Sequence, residues 1–215
     1  LMSCLDSGEL RVSGFAGNWN SKNLQRLRRQ TGMIFQQHQL IGRRTALQNV
    51  LMGRLGYHSV FRSIFPLSVQ EQELGLRSLR RVGLLDKALC RVDELSGGQQ
   101  QRVGIARVLT QQPRTILADE PVASLDPATA EKVMDLIHSV CREDGITAVV
   151  SLHQVDLARK YAGRIVGMSA GRIVFDGVPA DLTQPKVDEL YRNQPDVRQT
   201  ARQGRVVNFP VPLAS

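Results

Sequence analysis

The stretch LSGGQQQRVGIARVLTQQPRTILADEPVASLDP, residues 95–127, decides the fold because its structural signals alternate within 33 residues. Ser96, Gly97 and Gly98 form a turn that opens a helix. TILADEP, residues 115–121, is a short apolar run bounded by breakers, of strand length. Asp126 followed by Pro127 starts a second helix, aspartate as the N-cap and proline in the first turn. Helix, strand and helix in succession are the signature of an α/β chain.

Working outward, two more runs have the length and flanks of buried strands: TGMIFQ from residue 31 and TAVVSLH from residue 147. All three runs end in polar residues. In an open α/β sheet ligands bind beyond the carboxyl ends of the strands, so Gln36, Asp119, Glu120 and His153 are expected to converge on one crevice. Between the first two strands, Leu47, Val50, Leu51, Leu76, Leu79 and Val82 recur at helical spacing, which predicts a helical subdomain over residues 41–95. The helix after Pro127 carries Val133, Leu136, Ile137 and Val140 along one face. RIVGMSAGRIVFDG reads as two strands around Ser169, Ala170 and Gly171. Residues 191–215 lack a period and read as a loosely held tail. The expected organisation is one domain over residues 1–190 followed by that tail.

Composition narrows the class. A chain of 215 residues with 42% hydrophobic side chains buries a sizeable core. No run of eighteen apolar residues occurs, and no secretory signal pattern opens the chain, so it reads as cytosolic. Cys4, Cys90 and Cys141 lie far apart without CxxC spacing, which supports neither a disulfide framework nor a zinc site. The formal charge of +8 admits a nucleic acid or an anionic membrane as partner. Its arginines are scattered, however, and the densest group, Arg26, Arg28 and Arg29, reads as a solvated helix face.

Three constellations carry chemistry. At Ser96–Gln99 the glycines let backbone approach a ligand, and the helix start presents unpaired N–H groups and partial positive charge. That is an anion site, to which Ser96 adds a hydroxyl and Gln99 an amide. Asp119 and Glu120 place adjacent carboxylates at the end of a buried strand, where a cation offsets the cost of their charge. Magnesium suits Asp119, and Glu120 suits the polarising of a water that attacks a γ-phosphate. His153 is placed to hydrogen-bond that phosphate. Gln36 and Gln37 both stand after the first strand, and the choice between them stays open.

LSGGQQQR, the strand ending in Asp119-Glu120, SLDP and SLHQVD follow the order found in ATP-binding cassette ATPases. The resemblance implies the ABC-type P-loop NTPase fold with a helical subdomain. It assigns Leu95–Gln99, including Ser96, Gly97, Gly98 and Gln99, to the signature that contacts ATP, and Asp119 and Glu120 to the Walker B pair. Ser124–Asp126 match the D-loop, with Asp126 toward the nucleotide. Gln36 matches the Q-loop glutamine toward the metal and cofactor, and His153 the switch histidine. The cofactors implied are ATP and Mg2+. NVLMGRLGYHSVFRSIFP and DGITAVVSLHQVDLARKYAGRIVGMSAGRIVFDG further resemble the ATPase subunits of bacterial phosphonate importers. That resemblance implies a homodimer of cassettes, two transmembrane permease subunits, a periplasmic or extracellular phosphonate-binding protein, and a place on the cytoplasmic face of the cell inner membrane, without nucleic acid.

One part of the pattern is missing. A P-loop needs G-x-x-x-x-G-K-[ST]. The five lysines, Lys22, Lys87, Lys132, Lys160 and Lys186, are never preceded by glycine or followed by serine or threonine. The chain reads as lacking the N-terminal strands and the Walker A loop. A cassette unable to hydrolyse ATP by itself, or a cassette ATPase acting on nucleic acid, are the competing readings.

Overall fold

The computed structural model describes residues 11–12, 15–16, 21–37, 39–58 and 67–192. Of the tail expected over residues 191–215, Tyr191 and Arg192 end a helix, and the rest lies outside the described residues, as do the N-terminal ten residues with Cys4. The chain divides into two compact units, residues 1–154 and 155–215.

The first unit begins with a two-stranded antiparallel hairpin, β1 (Arg11–Val12) and β2 (Phe15–Ala16), and helix α1 (Ser21–Gln30). Its sheet is parallel, in the order β3 (Thr31–Ile34), β4 (Thr115–Asp119), β5 (Thr147–Ser151). The three strands are the three apolar runs of the sequence, each stopped where its polar end begins. Ile34, Ile116 and Ala118 are buried on one face. The pairing Met33↔Leu117↔Val149 puts those side chains on the other face, since successive residues of a strand alternate. There Leu117 is 37% and Val149 59% exposed. Among the described residues this face and the outer edge of β5 stay open.

Four helices complete the unit: α2 (Ala46–Leu51), α3 (Val69–Arg81), α4 (Gly97–Gln111) and α5 (Pro127–Asp144). α4 is the central one, burying Val103, Ile105, Ala106, Val108 and Leu109. α2 and α3 pack against it, together with a short 3-10 helix over Met52–Tyr57. Gly53 permits that contact: a Cβ there would sit 2.3 Å from the Arg107 carbonyl oxygen, well inside contact distance. Thr45 and Ser68 start α2 and α3 as reciprocal capping boxes with Gln48 and Glu71, which satisfies two orphan donors at each helix start. Among the described residues, 41–95 is thus built of helices and turns, with one isolated antiparallel bridge between Thr45 and Arg91.

Two segments of this helical part run side by side. The amides of Ala46 and Leu47 donate to the carbonyls of Cys90 and Ala88, and those of Val92 and Asp93 to Arg44 and Gly42. Asn49, fully buried, closes the loop before α2: its Oδ1 accepts from the Ile41 amide at 2.8 Å, and its Nδ2 donates to the carbonyls of Ile41, Thr45 and, at 3.4 Å, Arg44.

The second unit holds α6 (Val155–Tyr161), the antiparallel pair β6 (Ile165–Ser169) and β7 (Arg172–Gly177), and α7 (Gln184–Arg192). Ala170 and Gly171, both with positive φ, make the turn the sequence announced. Phe175, Leu182 and Val187 form its core, with Val155, Ile165 and Leu190 packed around them. No helix among the described residues is long and apolar enough to cross a membrane.

Candidate active site

β4 and β5 bring the strand-end groups together through their register, which sets Asp119 opposite Ser151. The Ser151 hydroxyl donates to Asp119 Oδ1 at 2.8 Å and accepts the Glu120 amide at 3.0 Å. Glu120 adopts φ +44°, a left-handed conformation uncommon for a residue with a Cβ. From it the Glu120 carboxylate meets His153 Nε2 at 2.5 Å. The histidine side chain is 71% exposed and the glutamate's 28%. Asp119, Glu120 and His153 therefore form one connected cluster. Ser151 joins it unforeseen. The signal for it was its position two residues before His153 at the end of a parallel strand, directly across from Asp119, and only the pairing of β4 with β5 makes that readable.

The N-terminus of α4 is built as a third capping box. Ser96 Oγ accepts the Gln99 amide at 3.3 Å, and Gln99 Oε1 accepts the Ser96 amide at 2.9 Å. Both side chains spend acceptors, so the Ser96 hydroxyl proton and the Gln99 amino group keep their donating capacity. Gly98 has a second role beyond the ligand approach expected of it. A Cβ there would lie 2.6 Å from Thr129 Cγ2, so the glycine lets α4 and the start of α5 touch. Gly97 faces Leu125.

Asp126 caps α5 as read from the sequence: its Oδ1 accepts the Thr129 amide at 3.0 Å, and hydrogen bonds from Thr129 hold its carboxyl below the ordinary aspartate range. Gln36 and Gln37 are both exposed beyond β3. They line a cleft with Gly42, Asp93, Gln100 and Ser124, which sets the glutamine loop beside the signature helix and the turn before Asp126. Gln39, also at positive φ, closes that loop; its carbonyl accepts from the Arg107 guanidinium at 2.7 Å, and burial pulls that arginine below its usual pKa.

The donor set is compatible with magnesium, a hard cation that takes oxygen ligands. One oxygen of Asp119 is engaged by Ser151, which leaves the other for a cation; Gln36 stands in the neighbouring cleft. Of the cysteines described, Cys90 and Cys141 are free thiols, and burial raises the pKa of Cys141.

Comparison with known proteins agrees with this geometry. The family model described as "ABC transporter" matches residues 2–123. A phosphonates import ATP-binding protein, PhnC 3, from Nostoc sp. is 57% identical over 92% of this chain and 78% of its own length. A phosphite import ATP-binding protein, PxtA, from Stutzerimonas stutzeri is 60% identical over 78% of this chain; the chain spans 61% of that relative. Among solved structures, the ATP-binding cassette MJ0796 bound to ADP and Pi in a dimeric post-hydrolysis state is 35% identical, with a TM-score of 0.66 over 81% of this chain and 74% of that one. The cbiO1 subunit from Clostridium perfringens, part of an ABC transporter complex, superposes at a TM-score of 0.73 with 25% identity over 92% of this chain and 76% of its own. A glycine-started helix facing an aspartate-capped one, a carboxylate pair at a parallel strand end, a histidine on that pair and these relatives all lead to one conclusion: the chain belongs to the ABC transporter family, as an ATP-binding cassette.

Proposed function

We propose that this cassette belongs to an ATPase subunit that energises the import of phosphonates or related phosphorus oxyanions through a membrane transporter. The observation that carries the hydrolytic part is the Glu120–His153 contact at the end of β4 beside Asp119. The phosphorus-oxyanion part rests on the names of the relatives from Nostoc and Stutzerimonas.

In this reading Glu120 takes the proton of the attacking water as general base, and His153 orients the water and the γ-phosphate. Ser96 and Gln99 donate to the terminal phosphate of an ATP held by a second cassette, with the α4 dipole adding positive potential. Asp119, with Gln36, is assigned to a magnesium ion, which would neutralise charge on the β- and γ-phosphates. Asp126 positions the turn that meets the partner cassette. The working assembly is a homodimer of cassettes on two permease subunits at the cytoplasmic face of the inner membrane, supplied by a phosphonate-binding protein, without nucleic acid.

Residues 1–190 act as one cassette domain, with 41–95 as its helical subdomain. The G-x-x-x-x-G-K-[ST] loop is absent from these 215 residues. Magnesium-dependent ATP hydrolysis by them alone is accordingly expected to be negligible, and turnover to require such a loop. The test is a cassette carrying such a loop: Glu120→Gln should keep ATP binding and lose turnover. Undiminished turnover removes Glu120 from the role of base.

A further inference from the structure

We propose that Ser151 is a positioning residue that sets both carboxylates of the site at once, an inference that rests on the hydrolytic reading above. A serine hydroxyl has one proton and two lone pairs. One lone pair accepts the Glu120 amide and the proton is donated to Asp119 Oδ1, so a single side chain fixes the main chain of one acid and the carboxylate plane of the other.

The main-chain contact carries the larger consequence. A residue with a Cβ is disfavoured in the left-handed region by roughly 1–2 kcal/mol and stays there only where its surroundings hold it. Glu120 sits at φ +44°, and the main-chain hydrogen bonds around it are its amide to Ser151 Oγ and its carbonyl accepting from Ala123. The second of these belongs to the turn itself. The first reaches across to β5 and sets the direction in which the turn leaves the strand. That direction aims the Glu120 carboxylate at His153, two residues beyond Ser151 on the same strand end. One strand thus carries both the anchor of the glutamate's backbone and the partner of its side chain.

The Asp119 contact works through the other acid. With Oδ1 taken by a hydroxyl, the carboxylate cannot rotate freely and presents its second oxygen in a fixed direction. A free aspartate at an exposed strand end would sample several rotamers and lose that direction on most of them.

Ser151 is exposed at the end of β5, so its truncation leaves no core cavity, and Ser151→Ala is expected to fold with an unchanged melting midpoint. Two measurements test the inference. In the 215-residue chain, hydrogen exchange at the Glu120 amide should accelerate at least tenfold in Ser151→Ala and stay near wild type in Ser151→Thr, which keeps the hydroxyl. Exchange unchanged in the alanine variant overturns the backbone anchor whatever the chain's activity. In a cassette given a grafted G-x-x-x-x-G-K-[ST] loop, Ser151→Ala should lower kcat for ATP at least tenfold while KM changes less than threefold, and Ser151→Thr should restore kcat to within threefold. Equal kcat in wild type and Ser151→Ala overturns the positioning role. A loop-grafted wild type that hydrolyses no ATP overturns instead the functional reading, while the exchange result still stands by itself.

Discussion

Replacing Asn49 by alanine tests whether the loop before α2 is held by one side chain. Asn49 is fully buried and makes four hydrogen bonds. The three carbonyls it serves each have another donor: Ile41 O accepts from Arg44 N, Arg44 O from Val92 N, and Thr45 O from Asn49's own amide. The Ile41 amide has the side-chain Oδ1 of Asn49 as its partner. Alanine therefore removes two well-formed bonds, one long one and the partner of one donor. At about 1 kcal/mol net for each well-formed bond, and about 1–3 kcal/mol for a donor left unsatisfied, the cost is roughly 3–5 kcal/mol, toward the lower end because Ile41 is exposed enough to recruit water. Every 1.4 kcal/mol is tenfold, so exchange protection of the α4 amides at Val103 and Ile105 should fall about 100- to 4,000-fold. Native-state hydrogen exchange reads this within the first unit and independently of the second. Protection within threefold of wild type would refute the account. Asn49→Asp keeps the acceptor for Ile41 but points a carboxylate at three carbonyls, so it should cost at least as much as alanine near neutral pH. Because burial raises such a carboxyl's pKa, its loss of stability should shrink as pH falls and the group protonates.

Gly98→Val should destabilise by about 1–3 kcal/mol, because even its Cβ would stand 2.6 Å from Thr129 Cγ2, and Gly98→Val,Thr129→Ala should recover part of that in denaturant titration. Val149→Thr, on the open sheet face, should change the stability of this chain by less than about 0.5 kcal/mol; a larger loss would mean that the face is covered. For Asp126 the sign is that of a depressed carboxylate: its contribution is complete above the ordinary aspartate pKa and is lost as pH falls through its lower folded value, so Asp126→Asn should flatten the acid limb of a pH-stability curve. The Arg81 pairs with Glu143 and Asp144 are surface contacts, and Arg81→Ala measured with and without 1 M salt should differ by less than about 1 kcal/mol.

By itself the sequence determined the elements whose cause is local. The three strands follow from apolar runs with polar ends, and α5 begins at Asp126 because a carboxylate there satisfies an orphan amide. The turn at Ala170–Gly171 follows from a residue pair that tolerates positive φ. The candidate residues Asp119, Glu120 and His153 were legible because each stands at a strand end. Only the tertiary structure decided what depends on register and close approach. Ser151 became a site residue when β5 paired with β4, and Gly98 proved necessary because α5 lies against α4. Asn49, which no sequence pattern singles out, holds from within α2 a loop four to eight residues behind it. Such roles arise from distances between segments remote in the chain, and a linear pattern carries no term for those distances.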